Sequence, residues 1–311
     1  MTILICGGSK SGKSMYAQRC ARELAGNGKL YYLATMIPRD AEDIDRIANH
    51  VAERRGWGFE TVECPRAVTQ CLETADKSGT FLLDSITALL SNEMFRSDGT
   101  VDSGAARRIA DELQTLSLSL GTLVLVSDDI SSDTGGYDEL TEEFRQGLAY
   151  ILRRAASFSQ SVVEVCLGRA LKLKTKEEIK REEKAGMELI IGGAHQGKLE
   201  YAREKYALAN TDICYCTEDA EPDFSCRCLN HIENYALYCL RKCKDPWRQL
   251  DLWLERNSDG ILIGNDIFCG VVPIDKEMRE WREAAGRLQS EAAQRADKVT
   301  RLFCGLAQSL K

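Results

Sequence analysis

The feature that most limits what this 311-residue chain can fold into lies at its start. An apolar run, Ile3-Leu4-Ile5-Cys6, leads directly into Gly7-Gly8-Ser9-Lys10-Ser11-Gly12-Lys13-Ser14, which fits G-x-x-x-x-G-K-[ST]. This order predicts a buried strand, a glycine-rich turn and the start of a helix. Backbone N–H groups in such a turn curl around a phosphate, and the helix adds the positive end of its dipole. Lys13 is placed to reach the β- and γ-phosphates, and the Ser14 hydroxyl to ligate Mg2+. The flanking strand and helix and the complete Gly-Lys-Ser ending favour a nucleotide-phosphate site over a chance glycine-rich turn.

The following pattern alternates strand and helix. Met15 to Leu24 is helical in period, and Gly26-Asn27-Gly28 ends it. Leu30 to Thr35 reads as a second buried strand, Ile44 to Arg55 as a helix carrying His50, and Glu60 to Glu63 as a short strand. Thr80-Phe81-Leu82-Leu83-Asp84-Ser85 is an apolar strand ending in an acid, the form of a Walker B segment, whose acid holds Mg2+ beside the P-loop serine. Asp84 is also a candidate N-cap for the helix that follows, and both roles are compatible. A helix from Gly104 to Leu118, a strand from Thr122 to Ser127, a helix from Glu139 to Ala156 and a strand from Ser161 to Leu167 complete the pattern. The expected fold class is α/β, with mainly parallel sheets covered on both faces. Lys172 to Lys184 reads as a charged, helical connector.

Composition narrows the function classes. The net charge of −7 argues against broad binding to nucleic acid or anionic membranes. No apolar run approaches the roughly 18 residues of a membrane span, and the strand directly after Met1-Thr2 leaves no room for a signal peptide. A cytoplasmic protein is expected. Its thirteen cysteines are then expected to be reduced thiols. Those between Cys214 and Cys243 form a cluster in which Cys226, Cys228 and His231 are candidate metal ligands, though the Cys-x-Cys spacing is not that of a zinc knuckle.

At Met187 the pattern begins again. Met187 to Ala202 aligns without a gap on Thr2 to Ala17, matching both leading glycines, Gly12 with Gly197, Lys13 with Lys198 and Tyr16 with Tyr201. Glu280 to Lys311 likewise lies on Glu143 to Lys174. The chain thus reads as a tandem duplication of one P-loop unit: a first domain over 1–174, a charged linker over 175–186 and a diverged copy over 187–311. The second copy has Leu199 in place of the Mg2+-binding hydroxyl and no clear Walker B segment, so its nucleotide site is in doubt.

Five motifs in the first copy resemble those of the bifunctional adenosylcobinamide kinase/adenosylcobinamide-phosphate guanylyltransferase family. They are Gly7 to Ser14, Tyr32 to Thr35, Arg46-Ile47-Ala48-Asn49-His50, Thr61-Val62-Glu63 and Leu82-Leu83-Asp84. The resemblance implies a RecA-like P-loop fold, which the internal repeat places here in tandem, and two reactions. In one, a nucleoside triphosphate, ATP or GTP, phosphorylates the corrinoid hydroxyl. In the other, GMP passes from GTP to that phosphate through a guanylylated histidine. His50 matches the nucleophile, and Lys13 serves catalysis. By the same resemblance Ala34, Thr35, Met36, Val51, Ala52, Glu53, Arg54, Glu63 and Asp84 join Gly7 to Ser14 around the nucleotide, with Ser14 and Asp84 on the metal. A homo-oligomer is implied, with small molecules as the partners.

The family's Asn-Glu-Val-Gly-x-Gly-Ile-Val-Pro loop is missing from copy one, which has Ser127-Asp128-Asp129-Ile130. Copy two has it as Asn265-Asp266-Ile267-Phe268-Cys269-Gly270-Val271-Val272-Pro273, then Arg279 and Arg282. This complementarity raises the expectation of a composite site to which Asn265 and Asp266 contribute. A single-activity relative and a non-catalytic nucleotide-binding regulator remain as alternatives.

Overall fold

Strand-helix alternation and the burial of each apolar run build two sheets, seen here in a computed structural model that describes residues 1–38, 40–96, 98–133, 137–173, 186–268 and 273–311. The side chains of residues 42, 46, 49 and 53 are not described. The chain divides into two compact units, Met1–Ile130 with Asp138–Thr175, and Ser131–Tyr137 with Lys176–Lys311.

Unit 1 runs β1 Thr2–Gly7, α1 Lys13–Ala25, β2 Leu30–Ala34, α2 Ala41–Glu53, β3 Phe59–Glu63, α3 Cys71–Thr74 and β4 Thr80–Asp84. It continues with α4 Ile86–Met94, α5 Ala105–Ser119, β5 Thr122–Asp128, α6 Glu139–Phe158, β6 Ser161–Cys166 and β7 Arg169–Leu173. Unit 2 runs β8 Glu188–Ile191, α7 Lys198–Tyr206, β9 Ile213–Tyr215, β10 Cys228–Asn230 and α8 Ile232–Arg241. Then come α9 Trp247–Arg256, β11 Ile261–Ile263, α10 Lys276–Arg295, β12 Lys298–Phe303 and β13 Leu306–Ser309.

The first sheet has the order β3-β2-β4-β5-β1-β6-β7 and is parallel except for the last pair. β1 sits near its middle because Leu4, Ile5 and Cys6 are wholly buried. Burial of a Leu or Ile side chain contributes about 2 kcal/mol, enough to fix which strand lies inside. The second sheet has the order β13-β12-β8-β11-β10-β9, again parallel except for its terminal hairpin. The two orders correspond strand for strand, except that among the described residues unit 2 has no counterpart of β3 or of the helix α2 that carries His50. Its core also holds a buried ion pair, Glu188 with Lys205 at 3.1 Å, where β1 has Ile3.

Three expectations need correction. Lys172 and Leu173 are not the start of a helical connector: they close the antiparallel edge strand β7, which pairs with β6 through Val162–Leu173. The rest of that connector, and the linker up to residue 185, fall outside the described residues. Asp84 is not the N-cap of α4: the Ser85 hydroxyl accepts from Ala88 N–H at 3.3 Å, so the Asp84 carboxylate remains available. Unit 2 does have a strand in the Walker B position, β10, but it ends in Asn230 where β4 ends in an acid.

Candidate active site

The P-loop joins β1 to α1 by a path that only certain residues tolerate. Lys10 and Gly12 have φ of 56° and 91°, in the left-handed region. A Cβ on Gly7 would lie 2.7 Å from Ser11 Oγ and even closer to the Val165 carbonyl, so this glycine is required by packing. The turn after β6 braces the loop from the side, with Gly168 N–H donating to Ser11 O at 2.8 Å. Gly8, Ser9 and Lys10 face solvent, and nothing lies within 4 Å of where a Gly8 Cβ would be. The loop is open to a ligand.

The carboxyl ends of four adjacent strands bring the other groups to this loop, at the edge where parallel sheets bind ligands. Register places Glu63, Ala34, Asp84 and Val126 in one row across β3, β2, β4 and β5. The Lys13 ammonium donates to Gly8 O at 3.2 Å and pairs with the Asp128 carboxylate at 2.5 Å, at the tip of β5. The Tyr32 hydroxyl donates to Asp84 Oδ2 at 3.1 Å. Burial pushes the Asp84 carboxyl above the usual carboxylate range, while His50, the Tyr32 and Ser14 hydroxyls and Lys13 pull the other way. His50, in the last turn of α2, is thus close enough to act on the Walker B acid. Asp40 caps that helix, its carboxylate accepting from Asp43 N–H at 2.9 Å.

The remaining predicted residues divide by what they touch. Thr35 is buried, and its hydroxyl both accepts from Ser85 N–H (2.7 Å) and donates to Ser85 O (2.9 Å), fixing the backbone beyond Asp84. Met36 lines a cleft of about 280 Å³ with Ile37, Ser85, Thr87, Ser91, Phe144 and Asp128. The Arg54 guanidinium lies 4.0 Å over the Tyr32 ring. Val51, Ala52 and Glu63 are exposed, Glu63 at the tip of β3. The Glu53 side chain lies outside what is described. Tyr32 and Asp128 were not predicted as site residues. The available signal for Asp128 was that it ends a buried strand as Asp84 does.

Asn265 and Asp266 lie in unit 2. The Asn265 side-chain amide donates to Glu233 Oε1 at 2.7 Å and lies 3.2 Å from His231 Nδ1, and its backbone N–H donates to Glu233 Oε2 at 3.0 Å. Glu233 is nearly fully buried and also meets His231 Nδ1 at 2.9 Å. Cys269, Gly270, Val271 and Val272 of the expected loop fall outside the described residues. In the cysteine cluster, burial pushes the Cys228 thiol up to about 12 and the Cys216 thiol higher, which favours protonated thiols over metal-binding thiolates. No group of three metal-ligating side chains occurs among the described residues. Among them, too, no helix is long and apolar enough to cross a membrane.

Comparison with known proteins agrees with the motifs. Two solved structures show a distant likeness. The flagellar accessory protein FlaH of Methanocaldococcus jannaschii has 14% identity and a TM-score of 0.28 (55% of this chain, 75% of that one). A KaiC-like protein of Pyrococcus horikoshii has 15% and 0.28 (52% and 69%). The bifunctional adenosylcobalamin biosynthesis protein CobU of Salmonella typhimurium is 30% identical over 187 residues, covering 56% of this chain and all of that protein. CobP of Pseudomonas aeruginosa, which bears the same bifunctional description, is 30% identical over 175 residues, covering 56% of this chain and 98% of its own length. The family model described as cobinamide kinase / cobinamide phosphate guanyltransferase matches residues 3–173 and 227–310, most of unit 1 and much of unit 2. The chain belongs to the cobinamide kinase / cobinamide phosphate guanyltransferase family.

Proposed function

We propose that unit 1 carries out both reactions in the family's description. It phosphorylates the hydroxyl of adenosylcobinamide from a nucleoside triphosphate, ATP or GTP. It then moves GMP from GTP onto that phosphate by way of a guanylylated His50, giving adenosylcobinamide-GDP. The observation that carries this reading is the convergence of Lys13, Ser14, Asp84 and His50 on one open P-loop.

Each residue has a definable task. The solvent-facing Gly8-Ser9-Lys10 turn offers its backbone to the phosphates, and Lys13 exchanges Asp128 for the β- and γ-phosphate oxygens. The Ser14 hydroxyl and the Asp84 carboxylate at the tip of β4 are the hard oxygen donors that suit Mg2+, and they would hold it. When bound, Mg2+ neutralises charge on the phosphate oxygens. In the kinase step the substrate hydroxyl attacks the γ-phosphorus, the bond to the β-phosphate oxygen breaks, and the hydroxyl proton is released. In the transferase step a neutral imidazole nitrogen of His50 attacks the α-phosphorus of GTP and pyrophosphate leaves. The phosphate of the corrinoid then takes GMP from the resulting phosphoramidate, and the imidazole is regenerated. The cleft beside Asp128 provides room next to the P-loop for part of an acceptor.

The test is incubation with α-labelled GTP and Mg2+, then denaturation, acid treatment and peptide mapping. Acid-labile GMP on the His50 peptide, absent from His50→Ala, is the expected result. Nucleotide binding without any label would overturn the transferase reading and leave a kinase or a nucleotide-binding regulator.

A further inference from the structure

The loop of unit 2 that corresponds to the P-loop, Gly192 to Gly197, retains its backbone but is filled. Ala194 N–H donates to the Ser131 carbonyl at 2.8 Å. A Cβ placed on Gly193 would lie 2.7 Å from Ser131 Cβ and nearer still to its hydroxyl, so Ser131 sits directly against this glycine. Gly193 is accordingly buried, whereas its counterpart Gly8 is exposed. The Lys198 ammonium is buried and donates to Gly192 O at 3.1 Å and Gly193 O at 2.5 Å, within its own loop. Leu199 stands where Ser14 offers a hydroxyl, and it packs against the apolar cluster around Ile190 and Tyr206. Asn230 ends the strand where Asp84 offers a carboxylate.

We propose that this second P-loop is a receptor for the chain's own Ser131, with the Ser131 carbonyl in place of a phosphate oxygen, and that it binds no nucleotide. A nest of backbone N–H groups donates to any correctly placed oxygen lone pair, whether of a phosphate or a peptide carbonyl. What separates the two ligands is charge. A triphosphate needs metal-holding groups beside the loop; a neutral carbonyl does not. Unit 2 commits its lysine to two carbonyls and has neither hydroxyl nor carboxylate at the metal positions. It suits a neutral ligand. Gly193 is then kept for close approach of Ser131, not of a phosphate.

Hydrogen exchange read by mass spectrometry on the full chain tests this. In the wild type, the amide of Ala194 should be protected, and nucleotide should bind with one equivalent per chain. Gly193→Ala should expel Ser131 and speed exchange at Ala194 about tenfold or more, the scale of one lost hydrogen bond. Exchange across 131–133 should rise with it, while GTP binding at the first loop stays unchanged. Should Gly193→Ala misfold, Ser131→Phe makes the same clash from the Ser131 side and should release the same two regions. Exchange unchanged in both variants would overturn the proposal. So would a second nucleotide equivalent in the wild type that disappears in Lys198→Ala.

Discussion

The two P-loops follow almost the same backbone path and are surrounded by different side chains. Lys10 and Gly12 have φ of 56° and 91°, and His195 and Gly197, at the matching positions, have 60° and 87°. The bracing turns agree as closely, with Leu167-Gly168 at 49° and 74° and Cys304-Gly305 at 50° and 75°. The next strand tip docks alike in both: Asp129 N–H donates to Gly7 O at 3.0 Å, and Asp266 N–H to Gly192 O at 2.9 Å. That correspondence sets Asp128 against Asn265. In unit 1 the carboxylate draws the P-loop lysine across the loop mouth. In unit 2 the neutral amide turns to Glu233; both lysines reach the carbonyl of the second loop glycine, Gly8 or Gly193, and Lys198 adds Gly192 O where Lys13 has Asp128. Loop shape thus comes from glycines and a hairpin brace. Ligand class comes from a few side chains placed around it.

The sharpest way to break this comparison is to remove equivalent residues from each copy. His50→Ala should abolish the covalent GMP label altogether, since unit 2 has no equivalent helix among its described residues; a surviving label would move the nucleophile elsewhere. Lys13→Ala should lower turnover by about 100-fold or more, the scale for losing one preorganised charge-stabilising group. Lys198→Ala should leave steady-state rates unchanged. Equal losses in the two lysine variants would mean that both loops work.

Smaller effects sharpen the electrostatic part. Asp128→Asn copies the residue of unit 2 and frees Lys13 from a competing anion. Nucleotide binding, read by calorimetry, should tighten up to about fivefold, because the pair is partly exposed and worth about 1 kcal/mol. Weaker binding would show instead that Asp128 positions the lysine. Asp84→Asn tests a sign. Burial raises the Asp84 pKa in the folded state above its unfolded value, so folding favours the protonated acid. That stability is fully present below the unfolded pKa and is lost as pH rises through the raised one. Without Mg2+, the Asn variant should gain in Tm over the wild type as pH goes from 4 to 8, and a pH-independent difference would remove burial as the cause. The smallest expected effect is that of Leu199→Ser. It restores a hydroxyl to the second loop, but nucleotide stoichiometry should stay the same while Ser131 fills the site.

By itself the sequence determined the local geometry. Glycines at fixed offsets, β-strands of consecutive apolar residues and helices of period 3.6 are short-range properties. They located β1, the P-loop, α1, β4 with its terminal Asp84, and the second P-loop with its missing hydroxyl. The motif Arg46-Ile-x-x-His50 brought attention to a histidine that composition alone leaves as a surface residue. Long-range pairing was decided only in the tertiary structure. Asp128 and Lys13 are far apart in the chain, and their ion pair exists because β5 lies beside β1. The edge strand β7 gives no strand signal in the sequence because all but one of its residues are exposed, so only its antiparallel pairing with β6 defines it. The occupant of the second loop was equally hidden. Ser131 carries no motif, and what seats it is a backbone carbonyl, the one group that every residue shares.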